Sequence, residues 1–527
     1  MTQGAAEGRT TGNSSSRDDG RRWELFTALA YDVGRMLGLV AVAMATLVVV
    51  AVVFDELLVV PAVLLATAVT GGVAGALVVV GEPNERPSRA YGMLAAASGW
   101  LVVAMVGALP FLTVAWTVRL FGPTGAATAT APFLHPTNAV FESMSGFTGT
   151  GLTVAPSPSR LPHVLQWWRS TTEWVGGIGV IVLTTAVLSR PGSGSLTLYE
   201  GDARSERLHF EVLPRLRTIV GIFSLFTVGS VVLLLVVGLP PWAALNDAMT
   251  GLSTGGFSVT DGSIGAYHDP LVALAFVPVM TLGSIAFPVH YLLLRGDLRA
   301  PLRDVQTRWF VGLVVSGTLA LTGVLLVTQP ALSPGSDAVA SLFQFVSALS
   351  CTGFSTVSVG SLSGTTKLLV VLPMIVGGSA GSTVGGIKLI RLVTLAYGTR
   401  YRVRGTFYPP DVVRPFRVGN RLLTDAQAAL EIEEAALVSF LWAVFLVVGV
   451  LVLQAVFLFQ GDPHSLVNVT FDVVSAQGNV GLSTGVVTPG LPTAAKLMLV
   501  GNMWIGRLEI IPVAVFLRAL VTGLDVA

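Results

Sequence analysis

The chain has 527 residues, of which 52% are hydrophobic and only 12% charged. Soluble domains carry about 25% charged residues, so this composition excludes an ordinary soluble protein and fits a membrane one. A net charge of +1 argues against general nucleic-acid binding, and a single cysteine, Cys351, rules out an internal disulfide.

Residues 1–22 are rich in Gly, Ser, Thr and charge. They bury too little surface to fold, so a disordered tail is expected, extending to residue 33, with no removable signal peptide. Two apolar helices follow near 34–54 and 56–80, joined tightly at Asp55 and Glu56. After a polar loop at Gly81–Arg89 a pattern sets in: long helix, short half-helix, Gly/Thr turn, second long helix. Its first copy has helices at about 93–116 and 168–188 and a half-helix at 136–147. Helices near 218–239 and 271–294, 309–328 and 367–394, and 434–460 and 494–520 enclose three further turns. The expected fold is an all-α integral membrane protein: four helix–half-helix–helix repeats (93–189, 216–294, 309–394, 432–521), an N-terminal two-helix hairpin (34–80) and a basic loop (395–431).

The turns share a register. Each ends in Gly followed by Leu or Phe and then Ser or Thr, at Gly151, Gly256, Gly353 and Gly481. Six residues before each glycine stands a hydroxyl residue (Ser145, Thr250, Ser347, Ser475), and nine before it a polar one (Glu142, Asp247, Gln344, Asp472). In lipid, irregular backbone is tolerated only where it is buried in protein or lines a water-filled cavity. Four such turns around one axis would present rings of carbonyls able to replace the hydration shell of a monovalent cation. Glycine tolerates the positive φ that points carbonyls inward. Thr148, Thr150, Ser253, Thr254, Ser350 and Thr352 either add oxygens or brace the turns. Each half-helix also aims the negative end of its dipole at the cavity. Glu142, Asp247 and Asp472 either brace the turns or bind the ion directly.

The charges set an orientation. With the turns outward, the inward loops hold Arg86, Arg89, Arg190, Arg204, Arg207, Arg215, Arg295, Arg299, Arg303, Arg308, Arg400, Arg402, Arg404, Arg414, Arg417 and Arg421. The outward loops hold little beyond Arg119, Arg160, Lys367 and Lys496. That bias places the N-terminus in the cytoplasm.

Three further features stand out. Gly377-Gly378-Ser379-Ala380-Gly381-Ser382-Thr383-Val384-Gly385-Gly386 interrupts an apolar helix, as a loop protruding into the pore or as a packed kink. Lys388 and Arg391 beyond it read as snorkelling anchors. Arg507 lies inside the last apolar helix and faces a cavity or an acid on another helix. Cys351 reads as a small filler, the scattered His135, His163, His268 and His464 show no metal-ligand spacing, and Trp167 and Trp168 fit an interfacial belt.

At these residues the chain resembles the Trk/Ktr/HKT superfamily of potassium transporters, over roughly 93–520. WRSTTEWVGGIGVIVL at 168–183, SIAFPVHYLL at 284–293, GGSAGSTVGGIK at 377–388 and GNMWIGRLEIIP at 501–512 look like family signatures. The N-terminal hairpin looks like Trk, and GNVGLSTG at 478–485 looks more like Ktr. The resemblance implies four repeats around one central pore. Its filter would be built from Thr148–Gly151, Ser253–Gly256, Ser350–Gly353 (with Gly149, Gly255, Cys351 and Thr352) and Gly478, Asn479, Val480 and Gly481. K+ would sit at Thr150, Gly151, Gly255, Gly256, Thr352, Gly353, Val480 and Gly481. It further implies a gate at Gly377–Gly386, a positive barrier at Arg507, a homodimer in membrane lipid, and a cytoplasmic nucleotide-binding regulatory subunit. Glycine at 151, rather than serine, goes with potassium over sodium in that family. No organic cofactor and no enzymatic activity are expected. The alternatives are a sodium-permeable or cation-symporting relative, and more distantly an integral membrane enzyme acting on lipid-linked substrates; no nucleophile–base set or phosphate loop supports the latter.

Overall fold

The computed structural model describes the backbone of residues 12–84, 88–183, 212–328, 334–409, 416–419, 421–461 and 464–522. Arg86, Arg190, Arg204, Arg207 and Arg414 lie outside the described residues, as do the side chains of Arg215 and Arg421.

Helix α1 (Gly12–Val53) turns at Asp55, φ 57°, into α2 (Val60–Val80). The helix starts at Gly12 rather than near 34, so the disordered tail expected to residue 33 is corrected from Gly12 onward; its apolar stretch propagates back through the polar residues. The first repeat comprises α3 (Arg89–Val106), α4 (Leu109–Phe121), α5 (Thr124–Thr130), α6 (Pro136–Phe147) and α7 (His163–Leu183). The second has α8 (Val212–Val236), α9 (Pro241–Leu252), α10 (Pro270–Ser284), α11 (Phe287–Leu294) and the short α12 (Ala300–Arg303). The third has α13 (Val305–Thr328), α14 (Pro334–Leu349), α15 (Gly364–Val376) and α16 (Leu389–Gly405). A hairpin of β1 (Phe416–Val418) and β2 (Arg421–Leu423) interrupts the expected basic loop. The fourth repeat has α17 (Asp425–Gln460), α18 (Leu466–Gly478), α19 (Thr493–Arg507) and α20 (Ile511–Thr522). Among the described residues six helical segments are long and apolar enough to cross a membrane, and α10 with α11 forms a broken seventh, bent by 105°. This is a multi-pass membrane fold, all-α in class, with β1 and β2 as its strands among the described residues.

Several expected continuous helices are broken. The first gives way between α3 and α4 at Gly107 and Ala108, ahead of Pro110. The second helices of repeats two, three and four break as well. Pro288 in the first turn of α11 fixes one break, since its ring cannot share a straight helix with the preceding turn. Residues 377–388 form a loop in repeat three, and Leu508–Ile510 a hinge in repeat four. At that hinge Glu509 and Ile510 take φ 62° and 70°, a left-handed conformation that is unusual for a β-branched side chain. Trp168, expected at the membrane interface, is instead fully buried and donates to the Gly107 carbonyl at 2.9 Å; its bulk fills the space beside the kink between α3 and α4.

The half-helices dock onto the second helices through glycine. A Cβ on Gly176, Gly283 or Gly506 would collide with the carbonyl of Phe147, Leu252 or Gln477. These carbonyls occupy one repeating position, four residues before each turn glycine. Small residues permit this approach of backbone to backbone, the usual basis of helix association in lipid. Gly506→Ala is therefore expected to destabilise the detergent-purified protein by about 1–3 kcal/mol through overpacking. Gly501→Ala on the same helix, where a Cβ meets nothing within 4 Å, should be neutral or slightly stabilising. Thermal unfolding of the two variants side by side checks this, and equal midpoints would refute it.

Candidate functional site

Each half-helix ends in the same backbone figure. The amide before each turn glycine donates to the carbonyl of the hydroxyl residue: Thr150 to Ser145 at 2.8 Å, and Gly255 to Thr250, Thr352 to Ser347 and Val480 to Ser475 at 2.9 Å each. The glycines follow with φ of 79°, 86°, 78° and 96°. A second left-handed residue precedes each of them: Gly149, Thr254, Cys351 and Asn479, with φ from 51° to 57°. The sequence places these four residues in the turns but does not reveal their left-handed backbone, because only one of the four is glycine. Left-handed backbone at a non-glycine costs roughly 1–2 kcal/mol. The neighbours hold it in place: Asn479 Nδ2 donates to Thr150 Oγ1 at 3.0 Å and to Met503 O at 2.9 Å.

The four turns close on one another. A Cβ on Gly151 would fall on the carbonyl oxygen of Gly255, one on Gly256 on that of Thr352, one on Gly353 on that of Val480, and one on Gly481 on that of Thr150. The circuit returns to its start, and the turns follow chain order around it. The residues before each glycine are buried and the four glycines are part-exposed. Thus Thr148–Gly151, Ser253–Gly256, Ser350–Gly353 and Gly478–Gly481 are all brought together. Several hydroxyls brace rather than project: Thr148 bonds Thr150, and Ser350 bonds Thr352, both at 2.7 Å.

The acids behind the turns face the segments that follow them. Glu142 accepts from Thr153 Oγ1 at 2.7 Å and Val154 N at 2.9 Å. Asp472 accepts from Thr484 Oγ1 at 2.6 Å, and Asp247 from the Tyr267 hydroxyl at 3.3 Å. This geometry is that of bracing. Sequence reasoning also missed Arg169 and Glu173, two charges four apart on one face of apolar α7; charge inside a spanning helix was the available signal. Arg169 pairs with Glu142 at 2.8 Å, donates to Ser258 O at 2.9 Å, and stacks 4.1 Å from the Phe257 ring centroid. Glu173 accepts from Phe257 N at 3.2 Å.

Beneath the turns runs the loop at 377–388. Its freed backbone groups are met: Ser379 N donates to Ser284 O at 3.0 Å, Thr383 N to Gly283 O at 3.2 Å, and Ala380 N to Gln306 Oε1 at 2.8 Å. Gly381 O accepts from Phe287 N at 3.0 Å, so the loop fills the break between α10 and α11. Thr383 Oγ1 lies 3.0 Å from Thr254 Oγ1, and a Cβ on Gly385 would meet Asn479. Gly377, Gly378, Ser382 and Gly386 complete this buried segment. Arg507 donates to Thr383 O at 2.7 Å and Gly176 O at 3.0 Å, and its guanidinium lies 3.4 Å from where a Gly149 Cβ would stand. Among the described residues it has no carboxylate partner. Lys388 and Arg391 are not snorkelling anchors. Lys388 is buried, donates to Val384 O and lies 3.9 Å from Glu509, while Arg391 pairs with Glu509 at 2.5 Å. The hinge turns the Glu509 carboxylate inward, and the two cations follow it.

Removing one partner of a buried ion pair strands the other charge. Arg169→Gln is expected to cost about 3–5 kcal/mol. Adding Glu142→Gln should recover part of that loss. A double variant less stable than Arg169→Gln alone, by thermal unfolding, would refute the pairing.

The sequence model of the TrkH family, described as a cation transport protein, matches residues 103–522. An uncharacterized cation transporter of Methanocaldococcus jannaschii is 34% identical over 431 residues, covering 81% of this chain and 82% of the relative. The Trk system potassium uptake protein TrkH of Salmonella typhimurium is 29% identical, covering 81% and 85%. The crystal structure of the potassium transporter TrkH from Vibrio parahaemolyticus superposes with a TM-score of 0.81 at 24% identity, over 93% of this chain and 98% of that one, and shares the fold. These matches displace the membrane-enzyme alternative: the chain belongs to the TrkH family of cation transport proteins.

Proposed function

We propose that this protein carries potassium into the cell through the ring closed by Thr150, Gly255, Thr352 and Val480. The observation that carries the reading is the closed circuit of glycine-to-carbonyl contacts. Carbonyl oxygens held by a rigid backbone can replace the water around a monovalent cation. Potassium uptake is what the Salmonella typhimurium relative is named for. The loop at 377–386 is the gate, and Arg507, hydrogen-bonded to it beneath the first turn, is a positive barrier to the ion. The arginine bias orients the N-terminus to the cytoplasm. The protein works as a homodimer in the lipid bilayer. A nucleotide-binding regulatory subunit docks on the cytoplasmic side, where Arg400, Arg402, Arg404 and Arg417 are exposed.

The test is potassium uptake in a transport-deficient bacterium at low external potassium. The native chain should restore growth. Gly151→Ser puts a side chain at φ 79° and against the Gly255 carbonyl, so potassium selectivity over sodium should fall about tenfold or more. Unchanged selectivity would remove Gly151 from the filter. Failure of the native chain even with a regulatory subunit co-expressed would overturn potassium uptake and favour a sodium-permeable or ion-coupled relative. Arg507→Ala should raise potassium flux or flatten its voltage dependence in patch recordings; unchanged currents from correctly assembled protein would sink the barrier role.

A further inference from the structure

Helix α7 carries a carboxylate that the fourfold pattern does not account for. The second helices align on Gly176, Gly283, Gly377 and Gly506; three residues before these stand Glu173, Met280, Met374 and Met503. All four side chains are fully buried. Three repeats therefore solve the same packing problem with an apolar thioether, and one uses an acid. Packing alone does not explain this, because a carboxyl group buried in a membrane interior is costly unless it is used.

The position of the acid suggests the use. Both oxygens of Glu173 lie 3.2 Å from Phe257 N, the first amide after Gly256. A Cβ on Gly255 would fall on the Glu173 carboxylate, so the carboxylate rests against the α-carbon of that residue. The carbonyl of the same residue is a member of the ring. One backbone unit thus separates the charge from an oxygen that would hold the ion. The nearby cations are committed elsewhere. Arg169 is bonded to Glu142 and Ser258 O, and Arg507 to Thr383 O and Gly176 O. Glu142, Asp247 and Asp472 differ in kind, since they face the segments that leave the ring.

We infer that Glu173 is a positioning and specificity residue of the filter: it holds the second turn through Phe257 N and adds a fixed negative charge that raises the affinity of the ring for cations. The inference rests on the filter reading above. Glu173→Gln keeps an oxygen that accepts from Phe257 N and removes the charge. Glu173→Met copies the other three repeats, and Glu173→Asp keeps the charge on a shorter stem.

The experiment measures thermal unfolding of the full chain in detergent as K+ replaces choline at constant ionic strength, since an ion that binds only the folded state raises its stability. This readout needs neither an open gate nor a regulatory subunit. Glu173→Gln and Glu173→Met are expected to raise the K+ concentration of half-maximal stabilisation by about tenfold. In choline the unfolding temperature of Glu173→Gln, which keeps an acceptor for Phe257 N, should stay equal to or above that of the native chain, that of Glu173→Met should fall below it, and Glu173→Asp should restore most of the affinity. A K+ midpoint in Glu173→Gln within about twofold of the native one would overturn the charge role. So would a loss of stability in choline for both neutral variants with the K+ midpoint unchanged, which a purely structural residue would give. A native chain that K+ does not stabilise at all would defeat the filter reading itself, and this inference with it.

Discussion

Everything in this structure depends on four α-carbons that touch four carbonyl oxygens. The contact between Gly151 and Gly255 O, repeated three times until it returns through Gly481 to Thr150 O, admits no side chain. It therefore fixes glycine at four sites, and it fixes the left-handed backbone needed to present the oxygens. A left-handed residue ends a helix, so each half-helix must stop just before the ring. In lipid a stopped helix must be enclosed by protein, which requires a pair of long helices around each half-helix. The fourfold repeat follows from the ring, not the reverse.

This is why so much was legible in the sequence. The glycines and the hydroxyl and polar residues at fixed distances before them are the residues whose positions the ring dictates. The first half-helix spans Pro136–Phe147, as its sequence suggests. What could not be read is what lies outside that constraint. Thr254, Cys351 and Asn479 take left-handed backbone with side chains that do not advertise it, and what holds Asn479 and Thr254 is remote in sequence: Thr150 and Met503 O for the one, Thr383 for the other. Apolar runs such as 271–294 look continuous, since proline is tolerated in helices within lipid; the 105° bend comes at Pro288, where a loop of another repeat fills the gap. Lys388 and Arg391 look like anchors until the hinge at Glu509, 118 residues further along from Arg391, turns a carboxylate toward them.

The backbone is nearly fourfold and the side chains are not. Repeat one supplies Arg169 and Glu173 from a second helix that runs unbroken through Leu183. Repeat three supplies the loop beneath the ring. Repeat four supplies Arg507, which ties that loop to α7 through the carbonyls of Thr383 and Gly176.

The breaks follow the same division. α10 parts from α11 where the loop of repeat three enters, and α19 parts from α20 where Glu509 grips the residues at the end of that loop. The loop is thus held at its middle by Arg507, which ends α19, and at its end by Glu509, which lies in the strained hinge that follows. Withdrawing the loop from beneath the ring requires the hinge to move or these bonds to break. A force applied to α16, which leaves the loop and carries exposed Arg402 and Arg404 in its last turn, acts directly on the Lys388 and Arg391 end of that linkage. The loop's end and the hinge lie on different repeats, joined by the carboxylate of Glu509.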